Sequence, residues 1–142
     1  MEQKDMMLTL RGEQRVDGQV HQTTHTVPCT LEITEEGAVV RYREAEETGL
    51  GETETVLRLG EAEAVMERRG DTRTRMRFVV GQRHRVDYET PAGALRLEVR
   101  TTFLSHNITA DGGKAMIRYH LSSGGETVAN HTLKLNIEER KR

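Results

Sequence analysis

The chain has 142 residues, one domain's worth, which is enough to bury a core without disulfide or metal staples. Lys and Arg number 21 against 23 Asp and Glu, a formal net charge of −2, so overall charge gives no drive toward nucleic acid or membrane. The single cysteine, Cys29, excludes an internal disulfide framework and fits a reducing, cytoplasmic setting; no apolar run is long enough for a transmembrane helix, and residues 1–5 lack the apolar centre of a signal peptide.

Alternation of apolar and polar residues marks a strand with one buried face, because successive side chains point to opposite sides. That pattern predicts strands at 6–16, 24–35, 38–46, 52–59, 61–69, 72–80, 83–90, 94–106, 114–122 and 126–138, with 1–5 and 139–142 frayed. The inward faces, in chain order, are these. Val27, Cys29, Leu31 and Ile33 share one. Thr53, Thr55, Leu57 and Leu59 share the next. Thr72, Thr74, Met76, Phe78 and Val80 follow, then His84, Val86, Tyr88 and Thr90. Leu95, Leu97, Val99, Thr101 and Phe103 form another, and His131, Leu133, Leu135 and Ile137 the last. Segment 61–69 is built of strong helix formers, but its nine residues between Gly60 and Gly70 suit a strand better. Glu36-Gly37, Gly70-Asp71, Pro91-Ala92-Gly93, Asp111-Gly112-Gly113 and Gly124-Gly125 supply turn chemistry. Gaps this short favour antiparallel neighbours. The expected fold is all-β: one domain over 1–142, an antiparallel up-and-down β-barrel of about 8–10 strands.

Laid out in order, several short motifs resemble a known group. Tyr42, Glu46-Glu47-Thr48-Gly49-Leu50, Thr53 and Thr55 form its first block. Met66, Arg69-Gly70, Met76-Arg77-Phe78 and Gly81-Gln82-Arg83-His84 form the second, and Tyr88-Glu89-Thr90-Pro91-Ala92-Gly93-Ala94-Leu95 with Thr101-Thr102 the third. Together they are similar to the YwiB-like family, a bacterial domain of unknown function. The likeness is densest between 42 and 102; before 20 and after 105 only the strand pattern matches. It implies a calycin-like barrel distantly like lipocalins. It implies no activity and carries over no catalytic residue.

Inward-facing polar groups are the candidates for chemistry. A small barrel either fills its interior with side chains or holds one small ligand, and such sites are mostly apolar with a few placed polar groups. The candidate ligand-binding set is Tyr42, Thr55, Met76, Phe78, His84, Tyr88 and Thr90, suited to a small apolar or amphipathic molecule. The competing reading is a packed barrel, serving as a protein-interaction module, in which these groups satisfy one another. Glu44 also points inward and is expected at a solvated barrel mouth, since buried carboxylates are rare. None of the six histidines has the spacing of a metal site within a strand. Cys29 reads as a buried small hydrophobe, and no Walker, Rossmann, zincin or nucleophile-elbow motif is present. No catalytic residue, metal or cofactor is expected, and a non-enzymatic reading ranks above an enzyme.

The charge distribution says more than its sum. Residues 32–67 hold eleven acidic groups against three arginines, a net of −8, whereas 68–100 hold nine arginines against four acidic groups, a net of +5. Arg73, Arg75, Arg77, Arg83, Arg85, Arg96 and Arg100 all fall on outward faces of three successive strands, expected to be neighbours. That makes a second hypothesis, a surface for an anion, RNA or an acidic protein. It ranks lower, because no aromatic faces outward among these arginines to stack a base. The plain alternative is a solvated face tied by cross-strand Arg–Glu pairs. No membrane partner is expected, and monomer and homodimer both remain open.

Overall fold

A computed structural model describes residues 3–45 and 50–140, apart from the side chain of Val128. Ten strands follow in order: β1 (Gln3–Val16), β2 (Gln19–Thr34), β3 (Gly37–Arg43), β4 (Thr53–Gly60), β5 (Ala64–Gly70), β6 (Thr74–Phe78), β7 (Arg83–Thr90), β8 (Gly93–His106), β9 (Gly113–Ser123) and β10 (Glu126–Glu139). All ladders are antiparallel, and the spatial order is β6-β5-β4-β3-β2-β1-β10-β9-β8-β7. Each neighbour is a sequence neighbour except at the β1–β10 junction, so the sheet is an up-and-down meander. It curls until its two edge strands, β6 and β7, face each other. Among the described residues one isolated bridge, Arg73↔Glu89, reaches across that seam to β7, and a second, Val80↔Thr101, ties the loop after β6 to β8. The result is an almost closed β-barrel. No helix of the described residues is long and apolar enough to cross a membrane.

The tight turns follow from the residues that make them. Asp17-Gly18, both at positive φ, join Val16 to Gln19 in the two-residue hairpin turn that matches strand twist. At Gly37 a Cβ would lie 1.9 Å from the carbonyl oxygen of Leu59, so the crossing of β3 and β4 requires glycine there.

Inside the barrel, register stacks the inward side chains of β2 to β6 into three layers. The first is Ile33, Ala38, Leu59, Ala64 and Phe78. The second is Leu31, Val40, Leu57, Met66 and Met76. The third is Cys29, Tyr42, Thr55, Arg68 and Thr74. The first two are apolar, and nearly all of their members are buried with Met6, Leu8, Val99, Ile117, Leu135 and Ile137 in one core. The third is polar and lies toward the ends of the short strands β3–β6, where the hairpins β1–β2, β7–β8 and β9–β10 run on past them.

Several sequence expectations change. Gln3–Asp5 and Glu139 are paired within β1 and β10 rather than frayed, and Lys4 reaches Glu139 at 3.3 Å. Segment 61–69 forms a strand only from Ala64, running to Gly70, with residues 61–63 in the turn before it. β6 stops at Phe78, leaving Val80 exposed in the following loop. A β-bulge between Thr101 and Phe103 breaks the alternation of β8, so Leu104 turns inward and Phe103, 40% exposed, turns out. β6 and β7 are not ladder neighbours; they are the two edges of the sheet. Glu46, Glu47, Thr48 and Gly49 lie outside the described residues.

Candidate functional site

The polar layer is assembled across four strands. Tyr42 on β3 stands opposite Thr55 on β4, Thr55 opposite Arg68 on β5, and Arg68 opposite Thr74 on β6. Glu44, just past β3, is held over this row by its backbone N–H, which donates to the carbonyl of Thr53 at 2.9 Å. Its side chain is only 4% exposed. The solvated-mouth expectation for Glu44 is therefore wrong: the carboxylate is buried and paired. Oε1 accepts from the Thr55 hydroxyl at 2.5 Å and from Arg68 Nε at 3.4 Å. A carboxylate can be buried here because a cation and a hydroxyl replace the water it loses.

Arg68 is the centre of the site. Its side chain is 16% exposed and its Nη1 donates to the hydroxyl of Tyr88 at 3.1 Å, linking β5 to β7 through the barrel. Among the described residues Nη2 donates to no protein group. Tyr119 on β9 packs its ring 5.0 Å from Phe78 and stacks on His131 at 4.9 Å, the planes nearly parallel. Burial, with Glu44 adding to it, pushes the Tyr42 phenol well above its usual range. Burial also raises that of Tyr119, against the pull of Arg68. The imidazole of His131 is held below its ordinary pKa, first by desolvation and then by the Arg68 charge. These rings are therefore neutral around one fixed guanidinium.

Three buried polar atoms in this region have no partner among the described residues: Thr74 Oγ1, Thr101 Oγ1 and His131 Nε2. Thr74 is cross-strand to Arg68, and Thr101 and His131 are each cross-strand to Tyr119. A buried polar atom without a partner costs about 1–3 kcal/mol, so three in one region ask for a polar occupant. An open groove at the β6–β7 seam, lined by Arg68, Thr74, Arg73, Asp87 and Glu89, gives access to this end of the layer.

The structure distributes the sequence candidates unevenly. Tyr42, Thr55 and Tyr88 come together through Glu44 and Arg68. Met76 and Phe78 belong to the apolar layers beneath. His84 faces Val99 across the β7–β8 ladder, with its Nδ1 buried and unpartnered among the described residues. Thr90 is engaged in its own turn, where its hydroxyl donates to Gly93 O at 2.9 Å and accepts from Ala92 N–H. Arg68, Tyr119 and the buried role of Glu44 were missed. The signal for Arg68 lay in phase: it shares the inward parity of Ala64 and Met66 and complements the charge of Glu44. Cys29 is buried as expected, its thiol pushed up to about 11 mainly by burial, with Asp5 adding.

The arginine strands are largely neutralised. Arg77 makes a two-point contact with Glu63, at 2.5 and 3.0 Å, and that contact pulls the Glu63 carboxyl below its usual range. Arg75 lies 3.9 Å from Glu67, Arg83 lies 3.7 Å from Glu98, and Arg96 lies 3.4 Å from Asp87. Arg73 and Arg85 stand opposite Glu89 and Glu98 across strands, whereas Arg100 stands opposite Arg83 and His120. No group of three or more His, Cys, Asp or Glu with metal-holding geometry occurs among the described residues.

The architecture is thus that of an antiparallel up-and-down β-barrel with a polar layer at one end. Residues 8–135 match the family described as Domain of unknown function (DUF1934), and the chain belongs to that family. It is 27% identical over 93 residues to the uncharacterized beta-barrel protein YwiB of Bacillus subtilis (strain 168), a match that spans 66% of each chain, just under two thirds. The crystal structure of the ywiB protein from Bacillus subtilis superposes with a TM-score of 0.87 at 19% identity, over 98% of this chain and 94% of that one. The fold is therefore shared with a solved structure.

Proposed function

We propose that this barrel binds a small amphipathic anion at its polar end. The observation that carries the reading is the Arg68 guanidinium, whose Nη2 is unclaimed among the described residues, with unpartnered Thr74, Thr101 and His131 atoms nearby. An anionic head group would accept from Arg68 and from the threonine hydroxyls. Apolar surface for the rest of the molecule lies close by. Leu95, 57% exposed, stands opposite Tyr88, and the half-buried Leu97 stands opposite Val86 on the same inner face. The two apolar layers are filled by their own side chains, so the ligand would sit on the polar layer rather than deep in the barrel.

Titration with 11-(dansylamino)undecanoic acid, a fluorescent amphipathic carboxylate, tests this. The expected result is enhanced and blue-shifted dansyl emission, displaced by an unlabelled fatty acid. Arg68→Met should weaken binding by about 10-fold or more, the scale of a lost charge-assisted hydrogen bond. Thr74→Val, which keeps the Glu44–Arg68 pair, should weaken it less, and Arg75→Gln should leave it unchanged. No emission change up to about 100 µM probe, a concentration weaker than any specific site of this kind would need, would overturn the reading.

A further inference from the structure

A second surface lies on the outside of β1, β10, β9 and the C-terminal part of β8, beyond the arginines of that strand. Register sets its rows. Arg11 stands directly opposite Lys134, Lys134 opposite Met116, and Met116 opposite Ser105. In the next row Thr132 stands opposite Arg118 and Arg118 opposite Phe103; on the other side Asn136 stands opposite Lys114. The bulge in β8 is what brings Phe103 onto this face, and the Arg118 guanidinium sits 5.5 Å above its ring. Between the rows runs an open groove of about 440 Å³, lined by Arg11, Phe103, Ser105, Lys114, Lys134 and Asn136 among others and by no acidic residue.

The contrast with the arginine strands is in the pairing. Among the described residues none of Arg11, Lys114, Arg118 and Lys134 lies within 4 Å of a carboxylate, whereas Arg75, Arg77, Arg83 and Arg96 each have one. Arg11 and Lys134 are like charges directly opposite on adjacent strands, an arrangement that destabilises a sheet unless something anionic covers it. Two acidic residues flank this patch: Glu13 lies 3.9 Å from Arg15, and Glu138 accepts from the Asn136 side-chain amide at 2.9 Å. Adjacent strands lie about 4.8 Å apart, so the cations and the aromatic ring share one patch a few strands wide. Three cations without a carboxylate partner among the described residues line a groove without acids, and Arg118 over the exposed Phe103 ring stands at its edge, combining phosphate neutralisation with a stacking surface.

We propose that this groove binds single-stranded nucleic acid, with Phe103 and Arg118 stacking a base and Arg11, Lys114 and Lys134 contacting phosphates. The combination favours a nucleic acid over an acidic peptide, because a peptide would use the cations but not the ring. The site is independent of Arg68 and of any ligand at the polar end.

The test is fluorescence anisotropy with the intact protein and a 5′-fluorescein 12-nucleotide oligo-U RNA, at salt concentrations from 50 to 200 mM. Binding should weaken with salt along a log–log slope of about −2 to −3, as three to four neutralised phosphates require. Phe103→Ala should weaken binding about 5- to 100-fold, and Phe103→Leu, which keeps an apolar side chain there, should still lose most of it. Arg11→Gln with Lys134→Gln should make the salt slope shallower by about 1.4. Arg75→Gln with Arg77→Gln should change nothing, and thermal melts of all variants check folding. Four results would each overturn the proposal: no anisotropy change up to about 100 µM protein at 50 mM salt; Phe103 variants that bind as tightly as the parent; poly-glutamate competing as well as RNA; or free UMP binding as tightly as the oligonucleotide.

Discussion

The two ends of the barrel interior solve the same packing problem with opposite chemistry. The apolar layers around Phe78, Leu57 and Met66 are held by burial alone and have no polar group to satisfy. The polar layer one register step away is held by a chain of directed contacts, Thr55 to Glu44 to Arg68 to Tyr88, and leaves three polar atoms unpartnered among the described residues. The first arrangement tolerates apolar substitution of similar volume. The second fixes geometry and leaves hydrogen-bonding capacity unused. Stability therefore resides mainly in one end, and the capacity for recognition in the other.

The largest blow to that comparison is Phe78→Ala, which should cost about 3–5 kcal/mol in chemical denaturation because a buried ring leaves a cavity beside Tyr119. A loss below about 1 kcal/mol would mean that the apolar layers are not the main source of stability. In the polar layer, Glu44→Ala should cost about 3 kcal/mol by leaving the Arg68 charge without its buried partner. Glu44→Leu combined with Arg68→Met should recover most of that loss, because two apolar side chains in place of a buried ion pair are often neutral or stabilising. If the double variant is as unstable as Glu44→Ala, the pair contributes more than geometry. The smallest effect concerns pH. His131 is neutral in the folded protein, its pKa held below the ordinary 6.5, so the unfolded chain takes up a proton first as the medium acidifies. Its contribution is present above about pH 6.5 and is lost as pH falls through the lower folded value. The melting temperature should therefore drop between pH 7 and pH 5, and His131→Gln should flatten that drop.

Most of the fold was legible because a period of two is written into the chain wherever a strand buries one face. The ten strands, and a strand rather than a helix at Ala64–Gly70, follow from it. What a period cannot register is an inserted residue. Thr102 carries no mark of a bulge, so Phe103 read as inward when it faces solvent. Pairing was equally hidden. The opposition of Arg77 to Glu63, or of Arg68 to Glu44, depends on register and curvature that join residues 14 and 24 positions apart. For the same reason the seven outward arginines read as an open basic face, although most are matched by carboxylates. Parity puts Tyr42, Thr55 and Tyr88 on inward faces, but it does not show the guanidinium among them, because an inward arginine looks like an exception until its carboxylate is found.

The β1–β10 ladder has a consequence for how the chain assembles. Every other pairing joins consecutive strands and can close as a local hairpin, but Leu8 must find Ile137 and Arg11 must find Lys134. Two meanders, β1–β6 and β7–β10, can each form early, and their union waits until nearly the whole chain is present. The barrel is in this sense a ring cut in the wrong place. Its first and last strands lie side by side in a continuous ladder, while the break in its hydrogen bonding falls at β6–β7, across a loop where the chain itself is unbroken.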